Sequence, residues 1–241
     1  MALIVLALAL GAYVYFFKGN FGRLRELTAA RPPGWRRRRY RLWIAKAFVL
    51  FAGPALLGLA LLGRLDALAM LPEEFETLAV AAGYPLPIGW LVLEVLAGLL
   101  VGALLGGGWA LWRRRRGKAP AMLGDFSLLL PRARGEMLHA AASALAAGIT
   151  EELYFRLLLP LAIALVTGNA LIGFVAATLL FGLAHRYQRW RGVLATSAVG
   201  AVLAFVYLAS GALWLAILVH VLVDLNGVLL RPWLGGMLPR V

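Results

Sequence analysis

Apolar runs about as long as a bilayer is thick follow one another along this chain, and clusters of arginine separate them. A helix needs about 20 apolar residues to cross the hydrocarbon core. Runs of that kind lie at 1–17, 47–65, 89–112, 137–167, 170–185, 192–209 and 212–230. Of the 241 residues, 63% are apolar, against about 45–50% in a soluble domain. The expected fold class is an all-α polytopic membrane protein with about seven transmembrane helices, seven or eight.

The charges between the runs set an expected topology. Residues 18–46 form a basic loop with Arg36-Arg37-Arg38-Arg39, Arg41 and Lys46, in which Pro32-Pro33-Gly34 breaks any helix. Trp35, Tyr40 and Trp43 suit a headgroup boundary there. Residues 66–88 carry Asp66, Glu73, Glu74 and Glu76 and no Lys or Arg, so they belong outside. Arg113-Arg114-Arg115-Arg116 and Lys118 return the chain to the cytoplasm. Residues 119–136 read as a loop and a short interfacial helix. Residues 137–167 exceed one span, and Pro160 can bend them. Thr167-Gly168-Asn169 and Ser210-Gly211 are outer turns. The first run is expected to be an anchor with its N-terminus outside rather than a cleaved signal, and the C-terminus is expected in the cytoplasm. Gly102-x-x-x-Gly106 suits close helix packing, and Arg64 and Glu94 are expected to pair across a hairpin. Three segments are expected: an N-terminal transmembrane anchor region at 1–136, a core at 137–230 and a cytoplasmic tail at 231–241.

A net charge of +13 would suggest nucleic acid in a soluble protein. Here the arginines flank apolar runs and no recognition motif accompanies them, so the expected partners are membrane lipids and not nucleic acid. The chain has no cysteine, which excludes disulfides, a thiolate nucleophile and a Cys-ligated metal.

Polar groups inside the core carry the chemistry. Glu151, Glu152 and Arg156 sit in the otherwise apolar run from Met137 to Val166. Charges at membrane depth usually face a protein interior or a cavity and mark function. Glu152 and Arg156 are i and i+4 on one helix face and can pair. Glu151 is rotated by about 100° and points elsewhere, free to do chemistry. His185 ends its span, and His220 and Asp224 share one face as i and i+4. The charge-derived topology brings all of them to a similar depth near the cytoplasmic face. His139 is expected to be interfacial or structural.

Glu151-Glu152-x-x-x-Arg156, Phe181-x-x-x-His185 and His220-x-x-x-Asp224, in this order, resemble the CAAX-protease and bacteriocin-processing (CPBP) intramembrane proteases, prokaryotic relatives of the type II CAAX prenyl endopeptidase. The stretch from Phe181 to Gln188 has the look of the bacterial branch. The resemblance covers about residues 137–230, and Asp224 stands where the eukaryotic enzymes have Asn. It implies that the C-terminal four helices form a catalytic bundle that hydrolyses peptide bonds at the membrane. Glu151 would be the base, His185 would orient the water, Glu152 and Arg156 would balance charge, and His220 and Asp224 would bind the substrate carbonyl. No cofactor is certain. A zinc enzyme with Glu151, His185 and His220 as ligands is the alternative, although no His-Glu-x-x-His motif is present. A non-catalytic scaffold or immunity protein of the same fold is a second alternative. A transporter is a third, but its two halves should look alike, and here they do not. The expected substrates are peptides or membrane proteins, prenylated CAAX-like tails or leader peptides. The expected location is the inner or plasma membrane, with the active site facing the cytoplasm.

Overall fold

The computed structural model describes residues 1–21, 34–118 and 129–238. Expectations that fall on Pro32, Pro33 and the rest of residues 22–33, on 119–128 and on 239–241 lie outside the described residues. Among those described there are helices and no strand. The long helices are α1 (Ala2–Phe21), α2 (Trp35–Leu62), α3 (Ile88–Arg115), α4 (134–167), α5 (Ala170–Ala184), α6 (Arg189–Ser210) and α7 (Leu213–Leu234). Four stretches are long and apolar enough to cross a membrane: Trp35–Leu62, Ile88–Arg115, Arg186–Ser210 and Leu213–Leu234. Ala2–Lys18 and Ala170–Ala184 are shorter apolar helices. The protein is a multi-pass membrane protein.

The charged helix, α4, sits in the middle. From Tyr154 to Ala164 every residue is buried. Charges that would be costly against lipid are thus surrounded by protein. Val5, Ala9 and Tyr13 of α1 and Phe51, Ala55 and Leu59 of α2 pack into the same apolar cluster as Phe155, Leu158 and Leu161 of α4. By contrast, α3 buries only Leu91 and Gly107 and lies at the periphery.

Three helices change hydrogen-bonding register. Each contains one π segment: Phe48–Ala52 in α2, Leu153–Leu158 in α4 and Asn226–Leu230 in α7. A proline follows two residues after each: Pro54, Pro160 and Pro232. Proline has no N–H for the carbonyl four residues back, and its ring crowds that carbonyl. The residue before each proline instead donates five residues back: Gly53 to Phe48, Leu159 to Tyr154 and Arg231 to Asn226. The expected effect of Pro160 therefore takes the form of a widened turn just upstream of it.

Several expectations are corrected. Trp35–Ala47, read as basic loop, is helix and continues into the span. Hydropathy marks where a helix crosses lipid and is silent where the same helix runs on with charged residues. Of the loop and interfacial helix expected over 119–136, residues 119–128 lie outside the described residues, 129–133 are non-helical, and the long helix begins at Arg134. Among the described residues nothing lies within 4 Å of a Cβ placed on Gly102 or Gly106, whereas a Cβ on Gly107 would lie 2.7 Å from Leu234. The close approach of α3 thus uses the next residue along. Arg64 pairs with Glu74 at 2.6 Å and Glu73 at 3.3 Å, and Glu94 is exposed. The acidic loop simply reaches Arg64 first. The turns at Gly168 and Gly211 form as expected, each glycine in the left-handed region.

Candidate active site

The i,i+4 pair expected on α4 is present. Arg156 Nε lies 3.1 Å from Glu152 Oε2, with both side chains within 2% of full burial. Arg156 also donates to the carbonyl of Gly200 at 3.3 Å, and its guanidinium stacks 4.1 Å over the Phe181 ring. Gly200 is required here, because a Cβ would lie 2.9 Å from that ring. The other Glu152 oxygen, Oε1, accepts a hydrogen bond from His220 Nδ1 at 2.6 Å. Glu152 is therefore held between α4 and α7 by two cationic or donor groups. The two helices can approach this closely because residue 148 is glycine: a Cβ there would lie 2.5 Å from Val221.

Glu151 points away from that cluster, as a 100° rotation requires. It lines a cavity of about 170 Å³ with His185, Tyr187 and Asp224. That is far above the ~10–15 Å³ that one water needs. Glu151 Oε2 is buried and has no hydrogen-bond partner among the described residues. His185 Nε2 stands 3.9 Å from it. His185 Nδ1 is 2.9 Å from the carbonyl of Phe181. A carbonyl can only accept, so Nδ1 carries the proton and Nε2 of the neutral ring offers a lone pair toward Glu151.

Asp224 lines the cavity, 3.8 Å from His220 Nε2. His220 itself is 3% exposed, with its ring edge-on to Phe181. All six residues singled out in the sequence come together, as two linked groups: Glu152, Arg156 and His220 in the interior, Glu151, His185 and Asp224 on the cavity wall. His139 stands apart, its Nδ1 3.2 Å from the Gly135 carbonyl. Among the described residues, no three His or carboxylate side chains are disposed to hold a metal ion, the set Glu151, His185 and His220 included. His220 Nδ1 is already committed to Glu152 and its Nε2 is turned toward Asp224.

The rest of the lining went unread in the sequence. Phe16 of α1 and Tyr40, Trp43, Ile44 and Phe51 of α2 form one wall, facing Ala140, Ala144 and Ala147 of α4. A latch holds that wall: Arg36 Nε meets Glu136 Oε2 at 3.0 Å and donates from Nη2 to Leu130 O at 2.7 Å, and Tyr40 donates to Leu129 O at 2.7 Å. The sequence signal was the aromatic interleaving of Trp35, Tyr40 and Trp43, which also fits a headgroup boundary.

Fold and site together define a helical membrane protein whose carboxylate–histidine site is enclosed within its bundle. Residues 133–226 match the family model described as type II CAAX prenyl endopeptidase Rce1-like, a protease family, and this match supports the resemblance to the CPBP intramembrane proteases. The matched segment starts one residue before α4 and takes in all six site residues. Neither the curated proteins nor the solved structures offer a match to the chain.

Proposed function

We propose that the protein is an intramembrane endopeptidase in which Glu151 activates a water against a peptide bond held in the cavity. One observation carries this reading: Glu151 and His185 face each other at 3.9 Å on the cavity wall, while the neighbouring Glu152 is tied up by Arg156 and His220. That gap is too long for a direct hydrogen bond and lets one water touch both groups. Such a water donates one hydrogen to Glu151 and the other to His185 Nε2, which turns its lone pair outward.

Attack forms a bond from the water oxygen to the carbonyl carbon, and one water proton passes to Glu151. The carbonyl oxygen becomes an oxyanion. Collapse restores the carbonyl, breaks the C–N bond and returns the proton from Glu151 to the leaving nitrogen. In this scheme Glu152 and Arg156 fix the face from which Glu151 projects. His220 and Asp224 border the substrate carbonyl, with His220 held in register by Glu152. The alanines, Ile44, Phe16, Phe51 and Val228 of the lining suit an apolar segment of a membrane-associated protein, such as a CAAX-like tail or a leader peptide. Tyr40, Trp43 and Lys46 of the lining belong to the basic start of α2, and Arg186 follows His185, which favours a cytoplasmic opening under the positive-inside rule.

The test is cleavage of a fluorogenic peptide library by detergent-purified protein, beside Glu151→Gln. Gln keeps the volume and cannot take the proton, so turnover should fall by about 10²–10⁴-fold at an unchanged melting temperature. Near-normal cleavage by this variant sinks the assignment. Cleavage should also survive a strong chelator, with far less than one zinc per purified chain. Stoichiometric zinc together with chelator-sensitive cleavage would overturn the metal-free scheme.

A further inference from the structure

Peptide hydrolysis places negative charge on the carbonyl oxygen, and a donor aimed at that oxygen is often the largest catalytic contribution. The cavity lining is rich in acceptors and short of donors. Glu151 and Asp224 are carboxylates, and the His185 proton is committed to the Phe181 carbonyl. Tyr40 gives its proton to Leu129 O, and Ser143 donates to His139 O at 2.9 Å. Lys46 is already partnered, and the Trp43 ring packs against Tyr40 and under the Arg39 guanidinium. His220 Nδ1 is given to Glu152, and its Nε2 stands 3.8 Å from Asp224 Oδ2.

Tyr187 differs from all of these. Its hydroxyl oxygen accepts from Gln188 Nε2 at 3.1 Å, which leaves its own proton to be donated elsewhere. Its ring centroid is 5.8 Å from that of His185, and it lines the same cavity as Glu151. The local backbone is built around this placement. Arg186–Gln188 form a 3₁₀ turn that ends at Arg189, with φ 68° and ψ 176°. Arg189 is the one non-glycine residue with positive φ among the described residues. That conformation is nearly confined to glycine, and such strain persists where surrounding structure enforces it, often at active sites. Gln188 is 3% exposed, and its side chain fills the space that a Cβ on Gly192 would take.

We propose that Tyr187 is a further catalytic residue, donating a hydrogen bond from its phenolic O–H to the substrate carbonyl oxygen as that oxygen becomes an oxyanion. No proton leaves Tyr187. The water proton still goes to Glu151 and then to the leaving nitrogen, as in the endopeptidase reading on which this inference rests.

The experiment compares wild type, Glu151→Gln and Tyr187→Phe on one peptide that the wild type cleaves, with kcat, KM and melting temperature measured for each. Tyr187→Phe removes a single oxygen atom. We expect kcat to fall about 100-fold, with KM within twofold and the melting temperature unchanged. A Tyr187→Phe kcat close to wild type, with Glu151→Gln inactive, overturns the role of Tyr187 and leaves the endopeptidase reading standing. A change in KM alone, or a loss of kcat only in step with a lower melting temperature, makes the hydroxyl a binding or structural group and also overturns the proposal. A wild type that cleaves no peptide, or a Glu151→Gln variant as active as wild type, overturns both.

Discussion

At the end of the bundle where the arginines gather, helices widen and a cavity forms; at the opposite end they stop on glycine and the space between them is filled. The arginine-rich end is tied together by contacts between distant segments: Arg36 with Glu136, the Arg186 guanidinium 4.3 Å over Phe17, and Arg114 3.4 Å from the Leu234 carbonyl. Two of the three π segments border the cavity, through Phe51 and Val228, and the third begins two residues after Glu151. At the other end, Gly63, Gly168 and Gly211 close the helices in the left-handed conformation. Phe75 packs 4.8 Å from Phe174 and 6.3 Å from Tyr207 there, filling the interior. Left-handed glycines follow helices at both ends, Gly117 and Gly236 at the arginine-rich one included, so the difference lies in the prolines placed inside the helices that reach the cavity. A π turn re-aims side chains without ending the helix, and such turns are frequent at functional sites.

The largest expected effect on this comparison comes from Arg156→Ala. The change leaves Glu152 buried without its ion pair, and breaking such a pair costs about 3–5 kcal/mol. It also removes the guanidinium from the Phe181 ring and the Gly200 carbonyl. Thermal unfolding in detergent should show a large loss of stability. A melting temperature equal to wild type would mean that the interior group does not hold the site end together.

A smaller effect is expected from Pro160→Ala. Alanine supplies an N–H for the carbonyl of Arg156 and removes the ring that crowds it, so Leu153–Leu158 can return to regular α-helix. Losing the extra residue of a π turn rotates everything upstream by about 100° relative to the second half of α4. Glu151 would then turn away from His185. Peptide cleavage should drop about tenfold, or about 1.4 kcal/mol in the barrier. Wild-type kcat in this variant would show that the π segment does not aim the carboxylate.

The two ends were also unequally legible in the sequence. The helices of the far end, with their glycine turns at Gly168 and Gly211, follow directly from apolar runs and punctuation. The Glu152–Arg156 pair follows from i,i+4 spacing, and the rotation of Glu151 away from it follows from helix geometry. What could not be read is contact across the chain. Glu152 meets His220 at 2.6 Å across 68 positions, and no local pattern encodes that. The α2 wall of the cavity was hidden for another reason. Tyr40 and Trp43 lie in an arginine-rich stretch, and charge there reports on the headgroup region, not on whether the helix continues. The π segments leave no mark in composition, although the proline two residues after each one does.

The smallest effect is expected at the far end, from Arg64→Ala. Its guanidinium meets Glu74 at 2.6 Å and Glu73 at 3.3 Å, and Glu73 is largely exposed. Partial burial disfavours the charge on Arg64, but the hydrogen bonds and charge of Glu74, with Glu73 and Asp66, outweigh it and raise the guanidinium above its ordinary value. Arg64 therefore stays charged at every accessible pH, and the pair weakens only with salt or with protonation of the acids. Pairs this close to solvent contribute about 0.2–1 kcal/mol. Thermal unfolding should shift slightly, by an amount that shrinks as salt is raised, and kcat should not change. Glu94→Gln should shift nothing, since Glu94 is exposed and not the partner of Arg64. A kcat loss in Arg64→Ala comparable to that in Pro160→Ala would break the division between a filled end that supports the fold and a widened end that holds the site.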